Sequence, residues 1–149
     1  MKRYLPLIVV GIVAIAAITA MFAFRTEGTE EGDKAAFSAG DKVEVFYFHL
    51  TRRCVTCQAV ENVSREAVSE IYAEEIKQGK VIFRALNIDD KETEPEAERA
   101  KATGQCLLVI SGETRIDLTS EGFMYAKTNP DRLKEELKKA IDPLLKEMK

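Results

Sequence analysis

The pattern of apolar and polar positions changes character three times along the chain. Tyr4 to Phe24 is a run of 21 residues without a charge. As a helix it would extend about 30 Å, the thickness of a bilayer's hydrocarbon core. It predicts a single transmembrane helix within residues 1–25. A cleaved signal peptide is the rival reading, because Lys2 and Arg3 form a basic start, but Ala20-Met21-Phe22-Ala23-Phe24 offers no small-x-small cleavage site. Residues 26–42, rich in Gly, Glu, Ser and Ala with no apolar period, read as a flexible linker.

From Val43 the pattern becomes that of a folded domain, expected over residues 43–149. Val43 to Leu50 is almost continuously apolar and aromatic, as in a strand covered on both faces. A helix is expected from Cys54 to Gln78, with Val60, Val63, Ala67, Val68, Ile71 and Tyr72 at three-and-four spacing and Gly79 as its stop. Val81 to Ile88 is a second strand. Thr93-Glu94-Pro95-Glu96 has the form of a capping box for a short helix ending near Thr103 and closed by Gly104. Leu107 to Ile110 and Thr114 to Leu118 are strands joined by a turn at Ser111-Gly112, and they are the only pair expected to be antiparallel. Asn129-Pro130 opens a last helix whose apolar face runs from Leu133 to Met148, with a kink or break expected near Asp142 because Pro143 falls inside it. The order is strand, helix, strand, helix, strand, strand, helix: an α/β domain.

Composition narrows the classes of function. The chain has 149 residues, 3 cysteines, no tryptophan and 32% charged residues, which suits one small domain with an appendage. Setting aside Lys2, Arg3 and Arg25 leaves 19 basic against 25 acidic side chains, a formal charge of −6, so no nucleic-acid partner is expected. The short basic N-terminus favours retention in the cytoplasm, which places the domain outside it, in a compartment where disulfides persist. There is no Ser/His/Asp set, phosphate loop or nucleotide fingerprint.

The candidate chemistry lies in Arg52-Arg53-Cys54-Val55-Thr56-Cys57, where the first strand gives way to the first helix. Unpaired backbone N–H groups and the positive end of the dipole at a helix N-terminus favour a thiolate. Cys54 is therefore the expected nucleophile, Arg52 and Arg53 its electrostatic support, and Cys57, one turn on and more buried, the resolving thiol. Glu61 and Glu66 look like solvated helix positions. Asn62-Val63-Ser64 matches a glycosylation acceptor by chance, since it falls inside the helix.

With a Cys-x-x-Cys at the head of the first helix and this order of elements, residues 43–148 resemble the thioredoxin-like superfamily, a βαβαββα sheet-and-helix sandwich, here preceded by one transmembrane helix. At finer grain, Tyr47-Phe48-His49 followed by Arg53-Cys54-Val55-Thr56-Cys57 is similar to the ArsF family of thioredoxin-like proteins. Its members are described as nitrophenyl compound nitroreductase subunits and linked to arsenic-resistance gene clusters. They are bacterial, often membrane-anchored, and occur beside an integral membrane electron carrier of the CcdA type. The resemblance implies a thiol-disulfide oxidoreductase tethered to the inner membrane and facing the periplasm. It would act on a protein or small-molecule disulfide, without a cofactor, with a CcdA-like protein as electron donor.

The chain departs from the superfamily at the substrate loop, where thioredoxins carry a cis-proline and this chain has Gln105, within Gly104-Gln105-Cys106-Leu107. A cis bond before a non-proline residue costs about 2.5 to 4 kcal/mol, so a trans bond is expected. Arg53 stands where tryptophan usually precedes the pair. Cys106 is expected at the head of the third strand, within reach of Cys54 and Cys57. That permits a second reading, in which these thiols, with or without His49, bind zinc, copper or a soft metalloid such as arsenite. As alternatives, Cys106 is a small buried hydrophobe and His49 a strand-end histidine with no chemical role.

Overall fold

The computed structural model describes residues 41–148. The anchor expected within residues 1–25, and all but the last two residues of the expected linker, lie outside them. Among the described residues no helix is long and apolar enough to cross a membrane.

The chain runs β1 (Val43–His49), α1 (Val55–Ile71), α2 (Ala73–Lys77), β2 (Val81–Asn87), a 3₁₀ turn (Lys91–Thr93), α3 (Glu94–Ala100), β3 (Cys106–Ser111), β4 (Thr114–Asp117), α4 (Thr119–Tyr125) and α5 (Pro130–Glu147). The strands form one mixed sheet in the order β2-β1-β3-β4. β1 and β2 are parallel, with Val43 opposite Val81. β3 is antiparallel to β1, with Phe48 opposite Cys106, and β4 is antiparallel to β3. The antiparallel β1–β3 pair corrects the expectation that only the last two strands run so. Length explains it: the 17 residues of α1 span about 25 Å, enough to carry the chain back along a strand of 7 residues, whereas the 7 residues of α3 span about 10 Å and return it to the same end of the sheet.

Two apolar clusters sandwich the sheet, one on each face, and β1 is buried at every position. Val43, Val45 and Tyr47 point into the larger cluster with Val60, Val68, Leu137 and Ile141 from α1 and α5. Phe46 and Phe48 point the other way, onto Ala97 and Ala100 of α3, with Cys106 and Leu108. This is the two-residue alternation of a central strand.

Local chemistry explains where the elements depart from expectation. The helix expected as one piece to Gln78 breaks at Tyr72, whose backbone leaves the helical region at φ −116°, ψ 32°. Its ring is buried and its hydroxyl donates to Asp142 of α5 at 2.7 Å, so a tertiary contact fixes the break. The expected capping box does not form: Thr93 Oγ1 donates to the carbonyls of Asn87 and Asp90, and α3 ends at Ala100 with Lys101 in the left-handed region (φ 52°), earlier than Gly104. Asn129 does cap α5, accepting from the Arg132 N–H at 3.2 Å. α5 then continues through Pro143 without the expected break; the ring is exposed, and buried Ile141 and Leu144 hold the helix to the core on either side of it.

The short helix α4 was not expected, because Gly122 sits at its centre. That glycine permits a close approach: a Cβ there would stand 3.2 Å from Val60 Cγ1 and 3.4 Å from Leu107 Cδ2. α4 thereby closes over α1 and β3 near the start of β3.

Candidate active site at the head of the first helix

β1 ends at His49, and the next five residues deliver Cys54 to the N-cap of α1. The cap position needs an acceptor for an unpaired backbone N–H, a task usually done by Ser, Thr, Asp or Asn. Here sulfur does it: Cys54 Sγ accepts from the Cys57 N–H at 3.2 Å. The two cysteines are disulfide-bonded, with Cα atoms 5.1 Å apart. Cys54 is exposed, whereas Cys57 is only 5% exposed. Of the two residues, Cys54 is the one open to solvent. On reduction the Cys54 sulfur would keep the same backbone donor and the positive end of a 17-residue helix, both favouring its anion.

No protein-family model and no curated protein matches this chain.

The flanking arginines have different surroundings. Arg52 is exposed, on the loop before the helix. Arg53 instead folds back along α1 and donates to the carboxylate of Glu61, which also accepts from Arg65. Glu61 is only 9% exposed, which corrects its reading as a solvated helix position; Glu66 is exposed as expected. Two guanidinium partners explain how a carboxylate sits there. Ser64 is fully buried, so the acceptor motif that ends on it lies within the packed helix.

Strand alternation sorts the residues of the opposing loop. Leu107, opposite Tyr47 in the ladder, faces α1, so Gln105, two residues earlier, falls on that face too. Gln105 Nε2 donates to the Tyr47 hydroxyl at 2.8 Å. Burial pushes that hydroxyl above its ordinary pKa, outweighing the lowering by the Gln105 bond and by the charge of Arg53. The bond preceding Gln105 is trans, as expected.

Cys106 belongs to the opposite face, among Phe46, Phe48 and Ala100. The sheet therefore lies between its thiol and the helix that carries Cys54 and Cys57. His49 ends β1 with its ring 6.0 Å from that of Tyr47 and Nδ1 3.1 Å from the Leu50 carbonyl. Among the described residues no three His, Cys, Asp or Glu side chains form a group that could hold a metal ion. Across the strand ends, Asp89 accepts from the Thr51 N–H at 2.8 Å and ties the cysteine loop to the loop after β2. That backbone bond, with one from the Thr51 side chain, holds the Asp89 carboxyl below its usual pKa.

Burial, with Asp117 nearby, pushes the Cys106 thiol up to about 11. In an unfolded chain the same thiol ionises near about 8.5. Between those values the unfolded state holds fewer protons than the folded state, so this contribution to stability is complete below about pH 8.5 and is lost as pH rises toward 11. Denaturant unfolding at pH 8 and pH 10.5 should therefore show a larger loss of stability in the wild type than in Cys106→Ala. Equal losses would mean that the thiol already meets water in the native protein.

Proposed function

We propose that this chain is a membrane-tethered thiol-disulfide oxidoreductase of the thioredoxin-like superfamily, similar to the ArsF-type proteins and acting outside the cytoplasm. The observation that carries the reading is the asymmetry of the pair: an exposed Cys54 at a helix N-cap, joined to a buried Cys57. Further support comes from the sheet order β2-β1-β3-β4, with the Cys-x-x-Cys helix following the central strand β1.

In the reduced protein the Cys54 thiolate attacks one sulfur of a substrate disulfide. The S–S bond breaks, the departing sulfur leaves as a thiolate that takes up a proton, and a Cys54 mixed disulfide remains. Cys57, losing its proton, attacks Cys54 Sγ. The second substrate sulfur is released, and the Cys54–Cys57 disulfide holds the oxidising equivalent. Two electrons pass to the substrate; sulfur alone performs the chemistry. A CcdA-like integral membrane protein is the proposed donor that restores the dithiol, with residues 1–25 as the tether that keeps the domain beside it.

The test is a redox titration of the full-length, metal-free chain in detergent and glutathione buffers, with alkylation and peptide mass spectrometry following each cysteine. A reversible two-electron Cys54–Cys57 couple between about −270 and −120 mV is expected, the span of working exchange proteins. Oxidation without a defined two-electron midpoint would overturn the reading and turn attention to soft-metal or arsenite binding by Cys54, Cys57 and Cys106. The placement of Cys106 across the sheet does not favour that alternative.

A further inference from the structure

An ion-pair cluster lies on the helix that carries the cysteines. Glu61 follows Cys57 by one helical turn, and both are buried, so they share a face of α1. Helical side chains lean toward the N-terminus, which brings the Glu61 carboxylate up toward the level of Cys57. Arg53 descends to meet it from the residue just before Cys54. Its charge is felt at the Tyr47 hydroxyl on β1, beneath the same end of the helix. Arg65 closes the cluster from below, its guanidinium 5.1 Å from the centre of the Phe83 ring. Unanchored, an arginine beside an exposed cysteine would extend into water, where its charge is screened. Held by Glu61, it lies along the first turns of the helix that carries the pair.

We propose that Glu61 is a positioning residue for thiol-disulfide exchange: by clamping Arg53 against the first two turns of α1, it holds that guanidinium where it stabilises the Cys54 thiolate. This rests on the exchange reading above. It also gives the two arginines separate tasks, Arg53 serving the protein's own sulfur and Arg52 facing outward. Other charged or titratable groups at this end of the domain include His49 and Tyr47 on β1, Asp89 after β2 and Cys106 at the start of β3. None of them contacts the clamp by a hydrogen bond or ion pair.

The sign of the effect makes the proposal testable. Glu61 is itself an anion, and an anion acting only through its charge opposes a nearby thiolate. Its removal would then speed the reaction of Cys54 with iodoacetamide. If it acts through Arg53, its removal frees the arginine and slows that reaction. The experiment measures the alkylation rate of Cys54 from pH 5 to 9 in the reduced full-length chain, for wild type, Glu61→Gln, Arg53→Gln and the double variant. Glu61→Gln and Arg53→Gln should each slow alkylation at pH 6 by about three- to tenfold. The pH profile should shift upward in both, and the double variant should be no slower than Arg53→Gln alone.

Faster alkylation in Glu61→Gln, an effect that persists without Arg53, or an unchanged profile accompanied only by lower stability would each overturn the proposal. Far-ultraviolet circular dichroism identifies a variant that has failed to fold, and Glu61→Asp, which keeps the charge with a shorter reach, then takes its place with slower alkylation again expected. A wild-type chain that shows no reversible couple in the titration fails the exchange reading. A wild type that exchanges normally while Glu61→Gln matches it fails only this inference.

Discussion

Cys54→Ser should abolish disulfide reduction, bringing the rate in an insulin or model-disulfide assay down to that of the uncatalysed mixture. Cys57 keeps its sulfur in this variant, but at 5% exposure it presents no attacking atom to a substrate. Cys57→Ser should behave differently. The exposed sulfur remains at the helix N-cap and still attacks, and because nothing resolves the product, a 1:1 mixed disulfide through Cys54 accumulates and is visible by intact mass. In membranes from a source organism the same variant should retain the proposed donor by the same bond. Residual turnover in Cys54→Ser, or mixed disulfides in it as abundant as in Cys57→Ser, would assign attack to a different sulfur.

A large loss of stability is expected at Leu107. This residue is fully buried, faces Tyr47 across the β1–β3 ladder, and lies against Gly122 of α4. Leu107→Ala removes its packing and leaves a cavity where α1, α4 and the sheet meet, at a cost of about 2 to 5 kcal/mol. Urea unfolding should show a lower midpoint with an unchanged slope. A loss below about 1 kcal/mol would mean that α4 settles into the space, and the packing at Gly122 would then be adjustable. Since Gln105 is only two residues away, the same substitution should also loosen its bond to Tyr47.

These residues show how far the sequence alone could be read. The continuous apolar run of β1 identified the sheet's central strand, and the spacing from Leu133 to Leu144 identified the buried face of α5. Asn129 and Gly79 marked an element start and an element end for the reasons their chemistry suggests, a side-chain cap and a positive φ of 71°. The Cys54–Cys57 pair was legible because both its spacing and its position after a strand are local. What escaped were properties set by partners far along the chain. Glu61 reads as a solvent-facing helix residue until Arg53 and Arg65 are seen to enclose it. Cys106 looked close to the pair because sequence register places it at the head of a strand. Which side of the sheet it faces depends on pairing with Phe48, 58 residues earlier. The break at Tyr72 likewise depends on Asp142, 70 residues away, a contact no local pattern announces. α4 went unseen because its central glycine, a packing device in the structure, reads in sequence as a loop residue.

The unequal exposure of the two sulfurs sets the order of events in any cycle they support. Only Cys54 can be touched from outside, so the molecule that delivers electrons and the molecule that takes them must use the same atom in turn. A ternary complex is closed to such a protein. Its steady-state kinetics should follow a ping-pong pattern, with parallel lines in double-reciprocal plots and with donor and acceptor each inhibiting the other when present in excess.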